Sequence, residues 1–325
     1  MRVELAPEIF SDTDDTTGPY RPEDLHHLYN LLRCFSEQRH DWVTDPNVVY
    51  AVQEFLPKHL PQLADTYVAL AQDAAVAQAW TGTSQASDVV RVPRADLADF
   101  AADLCQAAVV VVENQESDGY FLKTIAHVLG DKRIRIAINQ HWIEIANGGG
   151  SSLLKVAKEA ATRFRRVVRV VAVLDSDRLI PRQRTGSHDK ADALASIDVA
   201  VHVLDRREAE NYVPYRVLAR VGRLGEASQR LRLLKQLTPE QRDHYDMKHG
   251  FRKAGDPPAV LPAQRSLFHG LDGKLRAGLH TGFGTDLLER MHAGRDGLTE
   301  HDFAQLGDGV VAELRMLLAT IAGKI

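Results

Sequence analysis

QAAVVVVEN, residues 106–114, decides the fold. Two alanines and four consecutive valines form a short, largely β-branched, wholly apolar run, the pattern of a strand buried on both faces in a parallel sheet. Reading outward, SDGYFLKTIAHVLG (117–130) has helical spacing, with Ser117 as N-cap and Gly130 as the stop. RIRIAIN (133–139) and IEIAN (143–147) alternate and read as short strands. GGGSSLLKVAKEAATRF (148–164) opens on glycines and turns helical, VVRVVAVLD (167–175) is a second buried strand and IDVAVHVLD (197–205) a third. This β-α-β-α-β order predicts an open parallel α/β sheet flanked by helices, with any ligand beyond the carboxyl ends of the strands.

On either side the texture is helical. Residues 1–20 read as an acidic, flexible tail, and EDLHHLYNLLRCF (23–35) and PQLADTYVALAQDAAVAQAW (61–80) have helical periodicity. TGTSQASD (81–88) and DPPAVLPAQ (256–264) read as loops, and the chain closes on an amphipathic helix. The expected division is an N-terminal helical domain (1–104), an α/β domain (105–250) and a C-terminal helical extension (251–325).

Charge is segregated within a net of −4: residues 1–105 hold 7 basic and 17 acidic side chains, a net of −10, and residues 151–260 hold 22 and 14, a net of +8. One part of the chain is thus suited to a polyanion and another is not, although solvated helix faces give the same pattern. The two cysteines, Cys34 and Cys105, lie far apart in sequence without zinc-like spacing, and the histidines show neither HxH nor HExxH. No apolar run reaches a membrane span, and the start is acidic where a secretory signal is basic. A cytoplasmic protein with no membrane partner is expected.

All three buried strands run into carboxylates: Glu113 after the first, Asp175-Ser176-Asp177 after the second, and RREAENY with Glu208 and Glu210 after the third. Parallel strands share a direction, so these groups should meet at one edge. Crowded carboxylates repel unless cations hold them, and an all-oxygen donor set selects Mg²⁺ or Mn²⁺. An isolated DxD is often only a turn feature; the ordered set is what points to a site. Gly148-Gly149-Gly150 lacks the Gly-Lys-Ser/Thr of a P-loop and reads as a turn, and GFG (282–284), not preceded by a strand, is discounted as a dinucleotide signal.

A strand-ending glutamate, a later DxD strand and a downstream glutamate motif resemble the Toprim domain. VHVLDRREAENYVP (201–214) and YDMKHG (245–250) look most like the Toprim nucleases of the OLD (overcoming lysogenization defect) family and related phage-defence effectors. The resemblance covers roughly residues 106–250, with RREAENY its most specific element. It implies that Glu113 is both metal ligand and acid/base group, that Asp175 and Asp177 hold the principal ion, that Glu208 and Glu210 complete the site around a second ion, and that Lys248 faces the scissile phosphate. Where the family has a glycine after the glutamate this chain has Asn114, and the next aspartate comes one residue late, so Glu116 and Asp118 both stand as the secondary acidic ligand. The ATPase that accompanies OLD nucleases is absent from this stretch, which leaves a separate ATPase or sensor as an expected partner.

The loop RLIPRQRTGSHDK (178–190) offers Arg178, Arg182, Arg184 and Lys190 for phosphate contacts. The expected activity is Mg²⁺-dependent hydrolysis of nucleic-acid phosphodiesters with two ions, DNA placed ahead of RNA as substrate, in an antiviral setting and with self-association through the terminal helices an open option. The rival readings are a Toprim RNA-processing or primase-like enzyme and a non-catalytic nucleic-acid-binding or scaffold subunit.

Overall fold

The computed structural model describes residues 1–14, 18–81, 89–222, 224–251 and 258–325. The loop expected at 81–88 lies outside the described residues after Thr81, as does the start of DPPAVLPAQ.

The valine run forms β6 (Ala108–Val112), inside a four-stranded, all-parallel sheet with β7 (Ile143–Asn147), β8 (Val170–Leu174) and β9 (Ala200–Val203), in the order β7-β6-β8-β9. Every residue of β6 and β8 is buried. Val110 and Val112 pack toward α5 (Ser117–Val128), α6 (Lys132–Asn139) and the C-terminal helices, while Val109 and Val111 pack toward α7 (Leu153–Ala161) and α8 (Gly186–Ala195). This two-faced burial is why the strand carries no polar alternation. Each buried valine contributes roughly 1.5–3 kcal/mol, so the core holds the strand in place against whatever repulsion gathers at its acidic end.

RIRIAIN is not a strand but helix α6. The Asp131 carboxylate caps it by accepting the Ile134 N–H at 3.0 Å, and Ile134 and Ala137 are the buried positions. The R-I-R-I alternation imitates a period of two, but the i, i+3 burial after a capping aspartate is the pattern that wins. Between β7 and α7, Gly148 is obligatory: a Cβ there would lie 2.8 Å from the Val112 carbonyl oxygen and 2.8 Å from Leu153 Cγ.

The N-terminal region is also not all-helical. Arg2–Leu5 is a strand, β1, central in a second parallel sheet ordered β4-β1-β5, with β4 at Asp41–Val43 and β5 at Val89–Val92. Val3 and Leu5 are fully buried, so the segment read as an acidic tail begins as core. A two-residue antiparallel pair, β2 (Thr13–Asp14) with β3 (Gly18–Pro19), follows, and the layer is completed by α1 (Pro22–Ser36), α2 (Pro46–His59), α3 (Ala64–Thr81) and α4 (Leu97–Cys105). Strands of three or four residues are too short to show a period, which is why only the helices were legible.

The N-terminal layer has its own core, built on Leu28, Leu31, Leu32, Val52 and Leu56. It is bolted to the larger sheet by polar contacts. The buried Asp103 carboxylate accepts the N–H groups of Arg165, Arg166 and Val167 at 2.6–3.0 Å. Arg169, fully buried, donates to the carbonyls of Leu104, Gln106 and Lys324. Residues after Tyr212 are mainly helical, as expected, but the stretch from 251 onward shares one core with the four-stranded sheet through Leu279, Phe283, Leu287, Leu314 and Leu318. Among the described residues, no helix is long and apolar enough to cross a membrane.

Candidate active site at the carboxyl edge of the four-stranded sheet

Glu113 follows β6 directly, half-buried. The next residue, Asn114, builds the turn: its side-chain oxygen accepts the N–H groups of Glu116 (3.0 Å) and Ser117 (3.2 Å), and its own N–H donates to Asp118 Oδ2 at 2.8 Å. An asparagine thus supplies by side-chain hydrogen bonding the turn that a glycine supplies by freedom. The same bonds distinguish the two acids: Asp118 is folded inward, and Glu116 is exposed.

At the end of β8, Asp175 Oδ1 accepts the Ala209 N–H at 2.9 Å, the Ser176 hydroxyl donates to the Arg206 carbonyl at 2.7 Å, and the Asp177 N–H donates to the Arg207 carbonyl at 3.0 Å. The DSD triplet is therefore fastened to RREAENY along its length. Asp177 is exposed and has a left-handed backbone (φ 54°), a conformation aspartate tolerates better than most residues.

RREAENY is a self-bonded loop. Buried Arg206 donates to the carbonyls of Asn211 and Leu306, and Asn211, also buried, donates to the carbonyls of Arg242 and Tyr245. Arg207 spans Glu208 Oε1 (3.1 Å) and Asp246 Oδ2 (3.4 Å). Tyr212 donates to Glu313 Oε1 from the last helix, Val310–Ala322, and that oxygen also accepts the Asp205 N–H at 2.7 Å. Glu210 points inward, and Lys248 Nζ lies 3.1 Å from Glu210 Oε1 and 3.5 Å from Glu208 Oε2.

The carboxylates feel one another as a group. Burial, then repulsion from Asp118, Glu210, Glu113 and Glu208, holds the Asp175 carboxyl well above the usual carboxylate range. Glu113 is raised by burial and by Asp177 and Asp118, with Lys190 and Lys248 opposing. Asp118 is raised by burial against its hydrogen bonds. Burial, with Glu208 adding, pushes Glu210 up to about 7 although Lys248 pulls the other way. Burial works to lower the Lys248 pKa, but Glu210, Glu208 and Asp175 outweigh it and raise the value. Glu113, Asp118, Asp175, Asp177, Glu208, Glu210 and Lys248 thus share one edge of the sheet.

The basic residues of the 178–190 loop differ in what holds them. Arg178 donates to the carbonyls of Gln183 (3.2 Å) and Asp205 (3.1 Å) and contacts His188 Nε2 at 2.8 Å, so it folds the loop. Arg184 is spent on Asp189 (2.8 Å) and Asp192 (2.5 Å). Lys190 Nζ reaches the Gly150 carbonyl at 3.2 Å, beside Glu113, which makes the glycine turn a neighbour of the site. Arg182 is exposed and is the loop arginine whose guanidinium is left to solvent.

The sequence reading missed the supports of this edge. Arg207, Asn211, Asp246 and Glu313 orient the loop, and the discounted GFG segment carries Lys248: the Phe283 N–H donates to the Met247 carbonyl at 2.8 Å and the Gly284 N–H to the Lys248 carbonyl at 3.1 Å. A Cβ on Gly282 (φ 61°) would stand 2.6 Å from the Lys248 backbone. The only sequence signal for this was a pair of glycines with no element to account for them.

The donor set is all oxygen, and Glu208 Oε2 and Glu210 Oε2 are buried without a hydrogen-bond donor, Glu208 Oε2 having only its longer ion pair with Lys248. This chemistry fits a hard divalent cation. As the side chains stand, no group of three His, Cys, Asp or Glu among the described residues is arranged to cage an ion; two of the carboxylates are drawn to the Lys248 ammonium instead.

No family model, no curated protein and no solved structure matches this chain. What stands is an α/β fold of two parallel-strand sheets flanked by helices.

Proposed function

We propose that the chain is a metal-dependent phosphodiesterase of Toprim-like organisation that hydrolyses nucleic-acid backbones, DNA ahead of RNA. The observation that carries this reading is the meeting of Glu113, Asp118, Asp175, Glu208 and Glu210 with Lys248 at the carboxyl edge of one parallel sheet. A site of this composition has no use for a neutral or anionic ligand unless cations mediate, and a phosphodiester presented with Mg²⁺ or Mn²⁺ satisfies it.

Asp175, Glu208, Glu210 and Asp118 are the residues that would hold the cation, with Asp177 and Glu113 on the exposed side. A bound divalent cation would supply Lewis acidity and charge neutralisation at the phosphate. Glu113, raised and half-buried, is the group suited to take a proton from an attacking water. Lys248, held within 3.1 Å of Glu210 and 3.5 Å of Glu208, is the ammonium suited to face the charge developing on the phosphate. Arg182 and Lys190 flank the edge as backbone contacts. The fixed loop contacts of Arg206, Asn211 and Ser176 keep the carboxylates in position before substrate arrives.

The test is nicking of supercoiled plasmid by pure protein with Mg²⁺, Mn²⁺ or EDTA, alongside single-stranded DNA and structured RNA. Cleavage with metal and none with EDTA is expected. Metal-independent cleavage, or binding of nucleic acid without cleavage under every condition, sinks the proposal.

A further inference from the structure

Cys34 and Cys105, 71 positions apart, bring their sulfurs to 3.3 Å where α1 packs along α4. A disulfide has an S–S length of about 2.05 Å, so closing one here needs the sulfurs to approach by about 1.3 Å. Cys34 is fully buried, and Cys105, the last residue of α4, is partly exposed. Two guanidiniums stand beside the pair: Arg39 donates to the Gln106 carbonyl at 3.1 Å, and Arg169 donates to the Leu104 and Gln106 carbonyls at 2.9 and 2.6 Å. The pair therefore has the reach, the route from solvent and the positive surroundings that thiol chemistry requires.

We propose that Cys34 and Cys105 form a reversible dithiol–disulfide site whose oxidant is a low-molecular-weight disulfide. Cys34 first releases its proton to solvent; Cys105, the sulfur a small molecule can reach, then passes its proton to the Cys34 thiolate and attacks one sulfur of the oxidant. That S–S bond breaks, a small thiolate leaves, and Cys105 carries a mixed disulfide. The Cys34 thiol gives its proton to the departing thiolate and attacks the Cys105 sulfur, expelling the second small thiolate, which takes from solvent the proton that Cys34 first released. Two electrons pass to the oxidant, and one disulfide becomes two thiols. Ionisation is favoured in the pair: the hydrogen bond with Cys105 pulls Cys34 down to about 7 against burial, with Arg39 assisting, and Cys105 is pushed up because it holds the shared proton.

The bond would close the chain from α1 to α4 around most of the N-terminal layer. It would pin the residue that lies just ahead of β6, the strand that delivers Glu113. Cross-linking a loop this long restricts the unfolded chain strongly, so the oxidised form should melt several degrees higher.

The experiment treats the full-length native protein with oxidised glutathione, then measures intact mass, free thiols after denaturation and the melting curve. Expected are loss of two hydrogens with no adduct, joint loss of both thiols, a 34–105 cross-linked peptide, reversal by dithiothreitol and a higher melting temperature. In Cys34→Ser the adduct should be trapped on Cys105, and in Cys105→Ser the buried Cys34 should stay unreacted. An adduct that persists on wild-type Cys105, two thiols still titratable after incubation, or an oxidised form that melts no higher than the reduced one overturns the proposal. The wild-type readouts hold even if either variant fails to fold.

Discussion

Lys248 Nζ sits 3.1 Å from Glu210 Oε1, inside the cluster of carboxylates that closes the larger sheet. The ammonium does for Glu210 part of what a divalent cation would do, and would compete with one. Competition of that kind would make the site sensitive to pH, because Glu210 must be ionised to bind either partner.

With Glu210 pushed up to about 7, the sign of its linkage to stability is fixed. A carboxyl whose folded pKa lies above its unfolded value favours folding below the unfolded pKa, and loses that contribution as pH rises through the folded one. The metal-free protein should therefore lose stability between about pH 4.5 and 7, and Mn²⁺ affinity should rise over the same window as protons are displaced. Calorimetric titration in two buffers of different ionisation enthalpy checks this, since proton release should shrink toward pH 8. Lys248→Met should shift the release to higher pH and slow cleavage by about a hundredfold. Wild-type turnover in that variant would make Lys248 an ordinary surface lysine.

Asp175→Asn keeps an oxygen to accept the Ala209 N–H and removes the charge. Cleavage should fall by at least about a hundredfold, since the cation loses a direct ligand. The metal-free protein should melt higher than wild type, because burial and four neighbouring carboxylates oppose the Asp175 charge. Single-turnover cleavage with a thermal melt in EDTA reads both; an active Asp175→Asn variant contradicts the site.

Gly282→Ala places a Cβ 2.6 Å from the Lys248 backbone at a position with φ 61°. The cost should be about 1–3 kcal/mol, visible in denaturant unfolding, together with a fall in cleavage larger than that of Gly297→Ala, where a Cβ meets nothing within 4 Å. Equal effects at the two glycines would mean that the segment does not carry Lys248.

Arg182 and Arg184 lie two residues apart and should behave differently. Arg182→Ala should weaken DNA binding and lower the salt slope by about one, because its guanidinium is free to meet a phosphate. Arg184→Ala should leave both unchanged, its charge being committed to Asp189 and Asp192. Fluorescence anisotropy across a salt series separates the two, and the opposite ranking would relocate the backbone track.

The sequence by itself determined the larger sheet and which carboxylates stand at its edge. Runs such as AVVVV and VVAVL are buried on both faces, and that state needs no knowledge of neighbours to be read. Because parallel strands share a direction, Glu113, Asp175 and Glu210 had to emerge on one side once those strands were recognised. Only the tertiary structure decided the rest. RIRIAIN became helix α6 because the Asp131 cap and the burial of Ile134 and Ala137 outweighed a two-residue alternation. RVEL became a central strand because its partners, β4 and β5, lie some 40 and 90 residues away. The choice of Asp118 over Glu116, the diversion of Arg178 and Arg184 into local bonds, and the pairing of Cys34 with Cys105 depend on distances of a few ångströms between segments remote in the chain. Local periodicity records which face a residue buries; which partner it meets there is fixed only when the layers close.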